Sequence, residues 1–449
     1  MPLDSYDKRS QPIRIACVGG GIGGLALALG LANQQQVGAN IDFQVFEAAP
    51  RFTEIGAGVG IGPNAYQAIS LLGLKEAYEK IAATEDPEES KILFIWRYGE
   101  KRKVAENGGD DEFGFTPCNQ KGGHATIHRA RFLDMMIDRL PTGIANFNKR
   151  LIKYTLSDPG DKDAAPVTLH FHDGTTYEAD LLLGADGIKS TIRPQMLAHL
   201  MKPEELRPQF TGTIVYRGLF PMEKMVERIG EKARKGTMYL GKNKHILTAP
   251  LQHGKVINIV AFSSDRTVSS QDPVWSNADW IVPGTAEEMM EGWEDWSEDV
   301  GQIVRSIEKP NKWALHELCD LPTHAVGPVC IVGDSAAATL PHQGQGAAAA
   351  LEGAYTFAAG IQSLKVGVFL AICDEVNSDV IDRHVRATRI KTTSNELGRL
   401  LEFSDGIIDG ERIGLKKNLK GRYDWMWDWD GIEDVNRGLQ MIKKEAEKL

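Results

Sequence analysis

IRIACVGGGIGGLALALGLA, residues 13–32, passes from a short apolar strand through a turn of glycines into a helix rich in alanine and leucine. Gly19, Gly21 and Gly24 fit the pattern G-x-G-x-x-G in the strand-to-helix setting that this motif requires. The first glycine permits the tight turn, the second lets the main chain approach a pyrophosphate, and the third lets the helix pack against the strand. The helix N-terminus then faces the anion. The stretch therefore predicts a dinucleotide site.

A carboxylate follows at the spacing of a ribose anchor. A second strand over 42–46 leads to Glu47, close to the roughly 20 residues that separate such an acid from the glycine turn. Its carboxylate can accept hydrogen bonds from ribose hydroxyls. An acid at this position fits FAD or NAD and disfavours a 2′-phosphate.

The length, charge and cysteine content of the chain indicate which classes of protein it can belong to. At 449 residues the chain is long enough for two or three domains. The net charge is −10 and basic residues form no long run, so nucleic acid is not an expected partner. Five scattered cysteines without C-x-x-C spacing indicate reduced thiols. No apolar run approaches the roughly 18 residues of a membrane span, and the first residues lack a signal sequence. We expect a cytoplasmic protein without a membrane partner.

Further segments extend the nucleotide pattern. A second glycine-rich loop over 56–64 contains Gly58 and leads into a helix, and the glycine-rich and acidic stretch 105–123 is typical of a surface excursion. Another helix begins near Arg129 and Arg131. Because cations oppose the dipole at a helix N-terminus, these arginines indicate an anion nearby.

The middle of the chain reads as strands. Residues 167–178 form a hairpin through an Asp-Gly turn. His170 and His172 share a face of its first strand, but without a third ligand the sequence predicts no metal site. A buried strand over 180–183 then delivers Asp186 at its carboxyl end, where ligands of α/β sheets bind. Between residues 211 and 262 the sequence has several strand-like segments, which predict a separate sheet. An acidic helical segment is predicted to follow over 286–304.

The end of the chain returns to the nucleotide. Strand-like residues 329–332 run into Gly333-Asp334, a glycine-rich turn and a helix from Ala347 to about Ser363. This repeats the opening order of strand, acid, turn and helix. The sequence predicts another helix over residues 366–391. The three tryptophans between 425 and 429 are typical of a plug that docks on the body of the protein.

The glycine turn with Glu47, the motif around Asp186 and the motif around Asp334 resemble, in this order and spacing, the single-component FAD-dependent aromatic hydroxylases (class A flavoprotein monooxygenases). The resemblance covers residues 12–430. It implies an α/β fold: a Rossmann-type FAD-binding domain with an inserted, mostly β substrate domain and a C-terminal helical segment. We expect the FAD-binding domain over 12–205 and, as a return segment, over 311–365. The substrate domain is expected over 206–310 and the helical segment over 366–449.

The resemblance also implies which residues hold the cofactor. Arg129 matches the family arginine that reaches the FAD ribose and phosphates, and Asp186 matches a motif shared by FAD and the nicotinamide donor. The loop over 341–346 would lie beside the flavin ring. The cofactor residues expected in this way are Gly19, Gly21, Gly24, Glu47, Gly58, Arg129, Leu151, Asp186, Asp334, Gly344, Gly346 and Ala347.

Within the family, the runs around His128, Tyr216, Thr339 and Trp425 look most like salicylate hydroxylases and their fungal relatives. NADH or NADPH would reduce FAD, dioxygen would add to give a flavin C4a-hydroperoxide, and a phenolic aromatic acid would take up oxygen. For salicylate this yields catechol with loss of carbon dioxide. The residues we expect at the reaction are His342 as the base, Arg217 as the anchor of the substrate anion, and His245 in the same pocket.

Two departures from the family pattern are Ala337, where a histidine is usual, and Ala249, where relatives often have a tyrosine facing the substrate. Ala249 leaves room for a larger ring. The alternatives therefore stay open: a hydroxylating, dearomatising or epoxidising enzyme of a polyketide-type phenol, or a flavin-binding redox sensor without oxygenase activity. The sequence does not choose between NADH and NADPH, or between a monomer and a homodimer.

Overall fold

The computed structural model describes residues 11–52, 58–82, 92–118, 125–158, 165–265, 275–363, 383–404, 406, 408 and 410–446. The strands in these ranges are β1 (Ile13–Val18), β2 (Ile41–Phe46), β3 (Gly58–Ile61), β4 (Ile92–Tyr98), β5 (Glu112–Pro117), β6 (Ala125–His128), β7 (Ala145–Asn146), β8 (Leu151–Leu156), β9 (Val167–Phe171), β10 (Thr176–Ala179), β11 (Leu181–Gly184), β12 (Gln209–Pro221), β13 (Thr237–Gly241), β14 (Lys244–Leu251), β15 (Val256–Ser264), β16 (Ile281–Pro283), β17 (Asn311–Glu317), β18 (Ala325–Val326) and β19 (Val329–Ile331).

The helices are α1 (Ile22–Gln36), α2 (Pro63–Leu71), α3 (Lys75–Ile81), α4 (Lys101–Glu106), α5 (Arg129–Ile137), α6 (Ile192–Leu197), α7 (Met222–Ile229), α8 (Ala286–Met290), α9 (Glu298–Val304), α10 (Asp334–Ala337), α11 (Gly346–Ser363), α12 (Arg383–Leu401), α13 (Arg412–Leu419), α14 (Asp424–Trp427) and α15 (Gly431–Ala446), with 3₁₀ turns at Glu231–Arg234 and Pro341–Gln343. No helix in the described ranges is long and apolar enough to cross a membrane.

A six-stranded sheet, ordered β18-β19-β11-β1-β2-β7, carries the nucleotide motifs. Its central strands are parallel, with β1 between β11 and β2. Residues 15–18 of β1 are buried and apolar throughout, as expected for a parallel strand covered on both faces. Helices α1 and α11 pack together on this sheet. They can approach closely because Gly30 has no side chain, whereas a Cβ there would lie only 2.6 Å from the Cβ of Ala358. The predicted α/β class with a Rossmann-type domain is confirmed.

The second sheet has eight strands in the order β16-β17-β12-β15-β14-β13-β4-β5. Strands β12 to β15 pair antiparallel and match the β runs predicted from the sequence. One face of this sheet packs against α7 and α9 through Tyr216, Ile246 and Ile259. Because side chains alternate along a strand, His245, Phe262 and Arg217 lie on the opposite face. That face is turned toward the loop that carries His342.

The prediction of a surface excursion over 105–123 was wrong for residues 112–117, which form β5 at the edge of the second sheet. Phe113 in β5 is buried and stacks on Tyr98 at 4.5 Å between ring centroids. The glycines and acids around it hide the alternation of a strand. Residues 119–123 lie outside the described part of the chain.

Helical predictions in the last third are partly confirmed. Helix α11 begins one residue before the predicted start, whereas 286–304 forms two helices separated by the buried Trp293 and Trp296. Helix α12 begins at Arg383, and the predicted helical residues 366–382 lie outside the described ranges. Trp427 and Trp429 are buried against the body of the protein, so the expected docking plug is confirmed.

Candidate active site

The glycine turn after β1 has the geometry that its spacing predicts. Gly19 has a φ of 111°, and a Cβ there would collide with the carbonyl oxygen of Ala185. A Cβ at Gly24 would collide with the carbonyl oxygen of Gly19, so the third glycine allows α1 to start directly against the strand end. At Gly21 an added Cβ meets no described atom within 4 Å. No side chain therefore covers the main chain at the point where a pyrophosphate would approach.

Glu47 stands at the end of β2 and faces this turn. Its Oε2 accepts a hydrogen bond of 2.6 Å from the Gly20 N–H, and its Oε1 accepts one of 2.7 Å from the Ala49 N–H. Each carboxylate oxygen can accept more than one hydrogen bond, so these contacts orient the group and leave acceptor capacity for ribose hydroxyls.

The charges of Asp334, Arg129 and Arg217 act on one another, and we call the space that these three side chains border the cofactor cleft. Asp334 is accessible to solvent although protein surrounds it, and burial raises its pKa while the charge of Arg129 lowers it. Burial lowers the pKa of Arg129, and Asp334 opposes that effect. Burial and the neighbouring charge of Arg129 both lower the pKa of Arg217. Two guanidinium groups that repel each other form a strong site for an anion.

Asp186 follows the end of β11 and lies beside the glycine turn. Its Oδ2 accepts hydrogen bonds from the N–H groups of Thr191, at 2.7 Å, and Ile192, at 3.3 Å. Its buried Oδ1 has no hydrogen-bond donor among the described residues. Burial raises the pKa of this carboxyl, and the hydrogen bonds that it accepts oppose the rise. A buried acceptor left open in this way fits a ligand hydroxyl or amide.

Sequence reasoning assigned no role to Arg193, which joins the second and third motifs. Its side chain is 1% exposed and donates to the carbonyl oxygens of Ser335, at 3.0 Å, and Ile188, at 2.7 Å. The guanidinium therefore fixes the turn after Asp186 against the turn after Asp334. A cation in a helix of six residues gave no signal of this role in the sequence.

The remaining expected cofactor residues fall into two groups. Gly58 lies in the two-stranded antiparallel sheet of β3 and β6. Gly344 lies in the loop before α11, and Gly346 and Ala347 are the first two residues of that helix. Gly344 has a φ of 65°, which favours glycine. Leu151, by contrast, is buried in the core with Phe46 and Phe171, so its side chain does not line the cleft. The glycine turn, Glu47, the open acceptor of Asp186 and the Arg129–Asp334 pair fit FAD.

Two histidines meet at the join between the second sheet and the loop before α11. His245 in β14 is 2% exposed, and His342 in the loop is 5% exposed. Their ring centroids are 5.3 Å apart. Phe262 stacks on His245 at 4.1 Å with an interplanar angle of 10° and lies 5.2 Å from His342. The structure therefore brings together two of the three residues expected at the reaction.

Helix α12 holds the loop that carries His342. Ser394 Oγ donates a hydrogen bond of 2.6 Å to the carbonyl oxygen of Leu340, and Thr393 Oγ1 donates one of 3.2 Å to Gln343 Oε1. Gly398 brings the helix against the ring, since a Cβ there would lie 2.5 Å from His342 Nε2. These contacts span about 50 residues of sequence, and no local pattern reveals them.

Arg217 lies on the same sheet face as the histidine pocket, in the next set of paired residues on that face. Phe262 pairs with His245 and Val215, and the next pairs on that face are Val260 with Leu247 and Arg217. With strands about 4.8 Å apart and a rise of about 3.4 Å per residue, the Cα atoms of Arg217 and His245 are roughly 12 Å apart. That separation leaves room for one aromatic ring between the two side chains. The guanidinium also lies over the ring of Trp313 at 5.5 Å.

No protein-family model matches the chain. Full-length relatives do. The chain is 38% identical over 437 residues to a salicylate hydroxylase of Pseudomonas putida, with 94% of each chain covered. It is 34% identical to a 6-methylsalicylate 1-monooxygenase of Aspergillus terreus, covering 95% of this chain and 92% of that one. A solved salicylate hydroxylase in a substrate complex superposes with a TM-score of 0.83 at 36% identity, covering 96% of this chain and 98% of that chain.

A Rossmann-type cleft beside a mostly antiparallel sheet is the arrangement of an FAD-dependent aromatic monooxygenase. An FAD-dependent monooxygenase of Monascus ruber is 31% identical over 99% of this chain and the whole of its own length. The chain belongs to the salicylate hydroxylase family of these enzymes. It is an FAD-dependent enzyme that hydroxylates aromatic compounds with a nicotinamide co-substrate.

Proposed function

We propose that this enzyme converts salicylate, or a close relative of it, to a catechol with loss of the carboxyl group as carbon dioxide. The observation that carries the proposal is the histidine pocket, defined by His245, Phe262 and His342, at the edge of the cofactor cleft. The 38% identity to a salicylate hydroxylase supports the same substrate class.

The overall reaction balances with one donor and one dioxygen. Salicylate, NAD(P)H, dioxygen and two protons give catechol, carbon dioxide, NAD(P)⁺ and water. When bound, FAD takes a hydride from the donor and delivers one oxygen atom to the ring. The protein supplies the position of the ring and its protonation state.

The histidine pocket supplies the proton acceptor. A phenol becomes a stronger nucleophile when it loses its proton, and histidine changes charge near neutral pH. His342 is our first candidate for the base, because its loop leads directly into α11 beside the cofactor cleft, and His245 is the second. Both rings are buried, so little water competes for the phenolate.

Arg217 is the proposed anchor of the substrate carboxylate. It faces the cleft from the same sheet face as the pocket, and its charge has no carboxylate partner within 4 Å in the described ranges. A charge-assisted hydrogen bond would hold the acid with the carboxyl-bearing carbon toward the flavin. Attack at that carbon explains why the carboxyl group leaves.

Ala249 favours a second candidate, a larger polyketide-type phenol. It is buried and pairs across the strands with Asn258, two residues beyond the row that contains Arg217. The small side chain leaves room for a ring substituent. The 34% identity to a 6-methylsalicylate 1-monooxygenase supports a substituted ring as an alternative substrate.

A panel of hydroxybenzoates and alkyl-substituted salicylates, assayed for stimulated NADH and NADPH oxidation, tests the proposal. Mass spectrometry of each product distinguishes the candidates. Loss of carboxyl with gain of hydroxyl supports the salicylate reaction, and gain of oxygen alone supports the rival. Failure of every phenol to stimulate donor oxidation contradicts both. We also propose that the enzyme is cytoplasmic and works as a monomer or homodimer. The buried, reduced thiol of Cys17 supports the proposed compartment.

A further inference from the structure

A buried carboxylate, Glu402, contacts the histidine pocket from the end of α12. The Glu402 side chain is fully buried, and its Oε1 lies 3.1 Å from Nδ1 of His245. A carboxylate without access to water is expensive unless it is paired and hydrogen-bonded. The residue therefore has a specific partner, and that partner is a residue we place at the reaction.

The main chain fixes the direction of this carboxylate. The carbonyl oxygen of Glu402 accepts a hydrogen bond of 2.8 Å from the Asn243 N–H, and the next carbonyl, of Phe403, accepts one of 3.0 Å from Lys242 Nζ. Phe403 has a φ of 49°, which is strained for a side chain of this size. Two contacts thus fasten the end of α12 to the hairpin that begins β14, the strand of His245.

The His245 ring is held on its other sides as well. Phe262 stacks flat on it at 4.1 Å, and His342 faces it at 5.3 Å. With Nδ1 directed at Glu402, Nε2 is the nitrogen left for another partner. An ionised carboxylate only accepts hydrogen bonds, so it requires the proton on Nδ1 and leaves a lone pair on Nε2.

Other charged and titratable groups in the described part of the chain also surround the pair. His342 faces it from the loop before α11, Lys242 lies beside it on the hairpin, and Lys244 extends from the opposite face of β14 to Ser263. Burial lowers the pKa of Lys244, and three carboxylates raise it, in decreasing order Glu291, Glu294 and Glu402. Of these groups, the Glu402 carboxylate contacts His245 at hydrogen-bond distance.

We infer that Glu402 is a positioning residue that makes His245, and not the first candidate His342, the acceptor of the phenol proton, with His342 left to hold the phenolate oxygen. The inference rests on the proposed function and refines it. The phenol O–H bond breaks, an N–H bond forms at His245 Nε2, and the negative charge stays on the ring that is to be hydroxylated. Glu402 fixes the tautomer beforehand and stabilises the imidazolium afterwards.

The test uses the FAD-loaded enzyme and a nitro-substituted salicylate, whose absorbance reports whether its phenol is ionised. Difference spectra across pH give the apparent pKa of the bound phenol. We expect Glu402→Gln to raise this pKa by at least one unit, a tenfold loss of phenolate, and to divert donor oxidation to hydrogen peroxide. Glu396→Gln, an exposed carboxylate on the same helix, is the matched control and leaves the titration unchanged.

Two further variants keep the inference open to refutation. His245→Asn should produce the same shift, and adding Glu402→Gln to it should change the titration little, because Glu402 acts through His245. An unchanged titration in Glu402→Gln overturns the inference and leaves the proposed function standing. If that variant does not fold, an unchanged titration in His245→Asn overturns it instead. Wild-type enzyme that binds no probe overturns the proposed function and the inference together.

Discussion

Replacing Gly398 by alanine tests whether the position of His342 matters for the reaction. The new Cβ would lie 2.5 Å from Nε2 of His342, where a relaxed contact needs about 3.5 Å. The ring must therefore move by about 1 Å. It has little freedom to do so, because Phe262 and His245 lie within 5.3 Å on its other sides. A misplacement of about 1 Å costs roughly 10²-fold in rate, or about 2.7 kcal/mol.

The same substitution has a small effect on folding. Alanine is favoured over glycine by about 1 kcal/mol inside a helix, which offsets much of the strain in α12. We therefore expect normal FAD content and a similar melting temperature, with roughly 100-fold slower coupled hydroxylation. The assay compares catechol formed with NADH consumed. Gly438→Ala in α15 is the control, since its Cβ would meet no described atom within 4 Å. Full coupled turnover in Gly398→Ala would refute the reasoning.

Three other substitutions test separate parts of the site. His342→Ala should leave FAD bound but suppress hydroxylation while hydrogen peroxide release persists, as measured by peroxide yield per donor oxidised; normal coupling would remove His342 from the mechanism. Arg217→Ala should raise the apparent KM at least tenfold for carboxylated phenols and much less for uncharged ones, and an equal effect on both would indicate a purely structural arginine. Ala249→Phe should lower kcat/KM at least tenfold more for an alkyl-substituted salicylate than for salicylate, and equal losses would place the substituent elsewhere.

The sequence predicted FAD as the cofactor because the determinants of its motifs are local. Gly19 and Gly24 are required by the turn itself, and Glu47 and Asp186 follow strands that the apolar pattern reveals. Parallel strands bring their carboxyl ends to one edge of the sheet, so motifs far apart in sequence become neighbours there. The spacing of the motifs therefore carried most of the information about fold and cofactor.

The sequence predicted the reaction side of the site less completely. His245 and His342 stood out as titratable residues in apolar or glycine-rich runs. Glu402 and Gly398 did not, because their roles come from the packing of α12 against the second sheet and the loop before α11. An acid and a glycine in a polar helix are ordinary surface residues by pattern. Only tertiary structure separates Glu402, which is fully buried, from the exposed Glu396 on the same helix.

Strand β5 shows a second limit of pattern reasoning. Its segment carries glycines and acids that are typical of a loop, yet Phe113 and Thr116 are buried at the edge of the second sheet. Partners from distant parts of the chain decided its conformation. Tertiary packing overrides local preference most readily in short edge strands of this kind.

Salicylate carrying ¹³C in its carboxyl group, supplied with ¹⁸O₂ and NADH or NADPH, offers the most direct measurement of the proposed reaction. We expect one ¹³CO₂ and one catechol with a single ¹⁸O atom for each donor oxidised. A product that retains the ¹³C carboxyl would contradict the proposed decarboxylating hydroxylation, as would donor oxidation that yields hydrogen peroxide and no labelled catechol.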